Sequence, residues 1–363
     1  MKLQNHIISF AANDEHTLAL INSFKDYYNS YLKENGVEID VKDTVSFAEK
    51  EQKINEAIHE EIVKRSNLPE GTSVVDKASN PLVQWATFAI ITNLVDSVIP
   101  ESLSRYIGLW ADVQYGGYGD IFEFRRGFAG VLKVTKAGRA QRLSELQRIV
   151  KQGVIVRPEN HMLTMETDLY RLMLGLDSVA EMTAIVTRSM AEAIATEAFS
   201  SLANAVSALP TDATLGLVVT GYTQKALMKL IGKVQAYNGG MTPWIVGTAA
   251  ALSEIVPVAA YASIPVDSRY FALGHVTQAL GSPVFVLPQL VGSELYTTAL
   301  SDSILYIMPV SGKPIKVAVG GEMQYESGAQ ANANLKKTVT MQKDFGVAAV
   351  TGMIFGVMNL TGV

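Results

Sequence analysis

Ser178-Val179-Ala180-Glu181-Met182-Thr183-Ala184-Ile185 opens a run of roughly thirty residues without glycine or proline, which ends at Pro210. Ser178 and Glu181 have the spacing of a capping box, in which a hydroxyl and a carboxylate each satisfy an amide left without a partner at a helix start. The run is rich in alanine and predicts one helix of roughly 45 Å at about 1.5 Å per residue. Such a length is unusual for a compact enzyme domain, where helices average about three turns. Met182, Ile185, Met190, Ile194, Phe199, Leu202 and Val206 sit at several azimuths, so the helix should be covered on more than one side.

Upstream, Asn80-Pro81 is a helix start with proline in the first turn, and the apolar run behind it predicts a second helix that ends at Pro100. Residues 1–76 hold 14 acidic and 8 basic side chains. Ile54, Ile58 and Ile62 recur at helical spacing until Leu68-Pro69-Glu70-Gly71 interrupts them. This stretch reads as an acidic, largely helical arm, or more plainly as a solvated surface extension. Gly116-Gly117-Tyr118-Gly119 then opens a segment whose apolar alternation over 121–128 and 131–134 predicts strand, with a returning strand at 153–157. Between 120 and 157 nine Arg or Lys face only Asp120, Glu123 and Glu145, a net charge of +6.

Beyond Thr211 the texture changes to short apolar strands at 215–219, 244–247, 283–287 and 304–307, with a helix around 224–234. That alternation predicts an α/β or α+β domain, and 316–319 and 338–341 read as further strands. No internal repeat and no low-complexity linker divides the chain.

The whole chain has 363 residues, 48% hydrophobic and 18% charged, no cysteine and a formal charge of −5. Soluble domains average about 25% charged residues, so the shortage calls for a membrane or for burial against other copies. A membrane helix needs about 20 consecutive apolar residues. The uncharged stretch 345–363 is interrupted by Gly346, Gly352, Gly356, Asn359 and Gly362, and 270–293 by His275, Pro283 and Pro288. Both read as strand and loop. No signal-peptide pattern follows Met1, which points to a cytoplasm-like compartment and to obligate oligomerisation rather than a membrane.

The usual catalytic patterns are missing. His6, His16, His59, His161 and His275 lack metal-ligand spacing. Residues 216–221 have the two glycines of a phosphate loop, but Tyr222 stands where a lysine must reach the phosphates, so strand and turn are expected there. There is no Gly-x-Ser-x-Gly elbow and no thiol nucleophile. We assign no catalytic, cofactor-binding or metal residue; acid–base chemistry on unmarked carboxylates is the one enzymatic route left. The basic stretch admits three readings: phosphate neutralisation on nucleic acid, a solvated loop face, or pairing with an acidic surface on a neighbouring copy. Its candidate contact residues are Arg125, Arg126, Lys133, Lys136, Arg139 and Arg142.

The order of acidic helical arm, basic two-stranded excursion, long capped helix, mixed domain and closing strands resembles the major capsid proteins of tailed bacteriophages, the Hong Kong 97-type fold. The likeness spans about 45–350. It is carried by Glu166-Thr167-Asp168-Leu169-Tyr170-Arg171-Leu172, Trp244-Ile245-Val246-Gly247-Thr248-Ala249, Arg269-Tyr270-Phe271-Ala272-Leu273-Gly274-His275, Leu280-Gly281-Ser282-Pro283-Val284 and Lys343-Asp344-Phe345-Gly346-Val347-Ala348. The resemblance implies an α+β fold with an N-terminal arm at 1–79, a helix region leading into the peripheral domain at 80–112, and an extended β-hairpin loop at 113–165. It further implies a peripheral-domain spine helix at 166–210, an α/β axial domain at 211–312, and closing strands at 313–363 that return to the peripheral domain.

The function so implied is self-assembly into the icosahedral head that encloses a double-stranded DNA genome. Its partners would be further copies in hexamers and pentamers, scaffolding, portal and decoration proteins, and packaged DNA held non-specifically. Assembly would take place in the bacterial host cytoplasm, with the virion as destination. Two alternatives stand beside it: an encapsulin-like compartment, and a cytoplasmic α/β enzyme using carboxylates.

Overall fold

In the computed structural model the run from Val179 to Ser207 is one helix of 29 residues. The described residues are 15–37, 45–69, 71–108, 110–125, 153–207, 216–255, 278–287, 289, 297–298, 300–309, 313–327, 336–349 and 354–360. The chain opens with four helices, α1 (Glu15–Glu34), α2 (Phe47–Ser66), α3 (Val74–Ser79) and α4 (Pro81–Ile107). Strands β1 (Ala111–Gly116), β2 (Phe122–Arg125), β3 (Gly153–Val156) and β4 (Glu159–Asp168) follow, and α5 (Leu169–Met173) leads into the long helix, α6. Next come β5 (Val218–Thr220), α7 (Gln224–Tyr237), β6 (Trp244–Gly247), α8 (Ala249–Ser253), β7 (Gln278–Ala279), β8 (Ser282–Val286) and β9 (Ile304–Met308). The long strands β10 (Ile315–Ser327) and β11 (Lys336–Ala349) and the short β12 (Gly356–Asn359) complete the described elements.

The start of α6 is finished from two sides. Glu181 N–H donates to Ser178 Oγ at 3.1 Å, as the capping box predicts. Ala180 N–H donates instead to Oδ1 of Asn55 on α2 at 3.0 Å, and the Asn55 amide donates to Ser178 Oγ at 2.8 Å. The cap is therefore half local and half tertiary. Buried Ala180, Ala184, Ala191, Ala195 and Ala198 let α4 approach α6 closely, while Met190, Ile194, Phe199 and Leu202 fill the core around them. Ile185, expected to be covered, is 48% exposed.

Helix α4 starts as its sequence predicts, with Leu82 N–H donating to Asn80 Oδ1 at 2.8 Å and proline at the first position. It does not stop at Pro100 but runs on to Ile107. An internal proline disfavours a helix by about 3 kcal/mol. Leu103 and Ile107, both buried beyond it, return about 1.5–3 kcal/mol each, which is enough to carry the helix through. Among the described helices α4 is the one long and apolar enough to cross a membrane, and 61% of its apolar window is buried inside this fold.

The solvated-extension reading of the first helices is corrected by their packing. Ile54, Ile58 and Ile62 of α2, and Phe24, Tyr27, Tyr28 and Leu32 of α1, belong to the same apolar core as α4 and α6. Asp26, Glu49, Glu56 and Glu60 are exposed while Glu61 is buried and paired with Arg65, so these helices are amphipathic cover for a core. Burial pushes the Tyr28 hydroxyl up to about 12, with the Ser102 hydroxyl opposing. A phenol raised in the folded state supports folding below its unfolded value and loses that support as pH climbs through the folded one. Between pH 10 and 12, α1 should therefore come away from the core. Circular dichroism followed beside tyrosinate absorbance checks this: Tyr28→Phe should move the alkaline transition upward, and an unmoved transition would refute it.

Two sheets organise the strands. The four-stranded sheet has the order β1-β10-β11-β4, with β1 parallel to β10 and the other pairs antiparallel. The six-stranded sheet has the order β5-β12-β9-β6-β8-β7 and carries α7 and α8 against Ile245, Leu305 and Ile307. Strand β12 thus joins the sheet built from 218–308 rather than the four-stranded one. The near-miss phosphate loop is the expected strand and turn: β5 ends at Thr220, Gly221 turns with φ +82, and Thr223 caps α7. Where the two sheets meet, Trp110 lies edge-on to Trp244 and Phe285, whose rings stack at 4.4 Å.

Candidate functional site

The basic excursion leaves the body through the β2–β3 hairpin. Phe122 pairs with Val156 and Arg125 with Gly153, an antiparallel ladder that fixes which side chains face inward. Phe122, Phe124 and Val156 pack on Ala318 and Ala348 of the four-stranded sheet, and Lys316 Nζ lies 5.8 Å from the Phe124 ring centroid. The outward face is apolar too: Tyr118, Ile121 and Ile155 are 81%, 78% and 58% exposed. A turn precedes the hairpin, closed by Gly117 N–H donating to Asp120 Oδ2 at 2.6 Å, and Gly119 within it has φ +85.

The return strand crosses the sheet at two glycines. A Cβ at Gly320 would stand 3.3 Å from Cγ of Pro158, and one at Gly346 would overlap the Arg157 carbonyl. The backbone at 157–158 therefore lies almost directly on the sheet, where glycine leaves room for it.

Beside the crossing, β10 shifts register between Gly320 and Gln324, a bulge in which Gly321 has φ +63. Asp96 of α4 holds it. Its Oδ2 accepts from Met323 N–H at 2.5 Å, and its Oδ1 accepts from Lys343 Nζ at 2.7 Å. Lys343 also donates to the Gly321 carbonyl at 2.6 Å. The two side chains are only 4% and 11% exposed, so a buried ion pair ties the α4 helix to the bulge through three hydrogen bonds. On the next strand, His161 stacks on Phe345 at 3.6 Å and meets Glu197 of α6 at 3.0 Å. Burial raises the Glu197 carboxyl above its ordinary value, and His161 opposes that rise.

Of the candidate contact residues, the structure places Arg125 at the end of β2, where the excursion departs. Arg126, Lys133, Lys136, Arg139 and Arg142 lie outside the described residues. Gly346 and Lys343 were quoted from the sequence, but neither the crossing at Gly320 and Gly346 nor the Asp96–Lys343 pair was foreseen; the pair joins residues 247 apart, and no local pattern marks it. Among the described residues no cluster of His, Asp or Glu could hold a metal ion.

No curated protein matches the chain. Solved structures similar to it include the mature capsid of bacteriophage PhiM1, 13% identical with a TM-score of 0.46 over 70% of this chain and 86% of that one. The capsid of a native GTA particle is 13% identical with a TM-score of 0.45 over 72% and 90%. The procapsid of satellite phage P4, solved with its size determination protein, is 7% identical with a TM-score of 0.47 over 75% and 91%. The family model described as "SPbeta prophage-derived putative capsid protein YonB" matches residues 21–359, nearly the full length, and the chain belongs to that family.

Proposed function

We propose that this chain is the major capsid protein of a tailed bacteriophage, self-assembling into the icosahedral head around double-stranded DNA. The observation that carries the proposal is the family match over residues 21–359. The role is structural, and its site is the interface between copies rather than a catalytic pocket. The four-stranded sheet with α6 supplies the peripheral domain, the six-stranded sheet the axial domain, and the β2–β3 excursion the loop that crosses a neighbour.

The physics suits a tiled subunit. A shell holds through many modest interfaces, and an excursion lying on a neighbour adds contact area without enlarging the core. The low charge content and the exposed Tyr118, Ile121 and Ile155 at the hairpin root fit surface that is covered in the assembly. Electron microscopy of the purified chain should show shells, tubes or hexamers; small discrete particles alone under all assembly conditions would overturn the proposal. If the excursion binds neighbours through charge, Arg125→Glu with Arg126→Glu should stop assembly while circular dichroism stays that of the folded subunit. Normal particles from the double variant would refute that pairing.

A further inference from the structure

We infer that His161 and Glu197 form a proton-dependent clasp, which ties the outer strand β4 firmly to helix α6 while the pair holds one extra proton and loosens when that proton leaves. The inference goes beyond the capsid reading and is independent of it, since the clasp lies within one copy of the chain. His161 stands on the inner face of β4, in alternation with Leu163 and Met165, which pack on the core, and with buried Thr167. Strand β4 is the outer strand of its sheet and pairs, among the described residues, only with β11. Polar contacts join it to α6 near both ends: Thr167 Oγ1 donates to Met182 Sδ at 3.6 Å, and His161 Nε2 meets Glu197 Oε2 at 3.0 Å. Stacking on Phe345, at 3.6 Å with 15° between the planes, fixes the imidazole.

The ring has an acceptor on each side, and this sets its proton count. Nδ1 lies 2.9 Å from the Glu159 carbonyl oxygen, which can only accept, so this nitrogen carries a proton. The contact between Nε2 and Oε2 then needs a second proton, on the imidazole or on the carboxyl. A neutral imidazole beside an ionised carboxylate has one too few. Its single N–H serves either the carbonyl or Glu197, and the other nitrogen turns a lone pair toward an oxygen. The stack on Phe345 resists the rotation that would relieve this contact. Because the tied state holds the proton and the loosened state gives it up, the tie weakens as pH rises. Histidine is the side chain whose charge ordinarily changes between about pH 5 and 8.

The surroundings of the pair act in the same direction. Burial raises the Glu197 carboxyl, His161 opposes that rise, and the charge of Glu159 adds to it. A carboxyl raised in the folded state favours the protonated form there, so it too withdraws support from the fold as pH climbs. From β11, Lys343 stands directly across from His161, and its ammonium is paired with Asp96 of α4 at 2.7 Å. On α6 the residues one turn from Glu197, which are Ala193, Ile194, Ser200 and Ser201, carry no charge. The proton shared by His161 and Glu197 is therefore the one whose loss changes this contact.

Two experiments test this on the full chain. Hydrogen exchange over 159–165, with each rate divided by that of the unfolded chain at the same pH, reads the hold on the first half of β4. In the parent this protection should fall about threefold between about pH 6 and about pH 9, the size expected of a partly exposed ion pair. In Glu197→Gln the new amide donates to Nε2 of the neutral ring while Nδ1–H stays on the Glu159 carbonyl, so protection should be the same at both pH values. His161→Gln should be poorly protected at both. Nitrogen NMR of the parent, labelled at histidine and assigned through the backbone, needs no variant: the His161 ring signals should shift over the same range. Equal protection of the parent at the two pH values, a Glu197→Gln chain that loses protection as the parent does, or unmoved ring signals would each overturn the inference. Failure of the chain to form shells would count against the capsid reading alone.

Discussion

Asp96→Ala is expected to lower the unfolding free energy by about 3–5 kcal/mol, the range for removing one partner of a buried ion pair. The substitution leaves the Lys343 ammonium, 4% exposed, without its counter-charge, and takes the acceptor from Met323 N–H. An unsatisfied buried amide alone is worth about 1–3 kcal/mol. Replacing both charges, with Asp96→Leu and Lys343→Met, should recover part of the loss, since no isolated charge then remains buried. Guanidinium unfolding of the three proteins measures this. Asp96→Ala within about 1 kcal/mol of the parent would show that water reaches the pair and that the bulge is held by other means.

Gly346→Ala should be the second large effect, and Gly320→Ala its internal control. Alanine in place of glycine within a strand normally gains about 0.5–1 kcal/mol through the unfolded chain. At Gly346 the new methyl meets the Arg157 carbonyl and the Pro158 Cα, backbone atoms that cannot rotate away. Overpacking of this kind costs about 1–3 kcal/mol. At Gly320 the nearest atom is the ring Cγ of Pro158 at 3.3 Å, which a small shift relieves. Thermal unfolding should thus separate the two variants clearly. Equal stabilities would mean that the crossing is not held against the sheet.

How much of this was legible depends on how local each signal is. The α6 helix, its serine cap and the Asn80-Pro81 start could be read because hydroxyl, amide and proline effects act within one turn. Asn55 could not, since it caps a helix from 125 residues away. Pro100 misled because a local rule was outweighed by the burial of Leu103 and Ile107 beyond it. Strands β1 and β4 were not read as strands: β4 mixes Glu159, Asn160 and His161 with Met162 and Leu163 and has only a partly buried inner face. The charge of the excursion was plain in the sequence, but the structure fixes only its root, at Arg125 and Gly153.

The position of β12 has a consequence for timing during synthesis. It lies second in the order of the six-stranded sheet, and β5 pairs with β12 alone among the described strands. Strand β5, translated more than a hundred residues earlier, must wait unpaired until 356–359 emerges from the ribosome. Long-range pairing of this sort is slow and comes late. A nascent or prematurely terminated polypeptide consequently presents an unfinished sheet, with β5 lacking the strand it pairs with among the described residues.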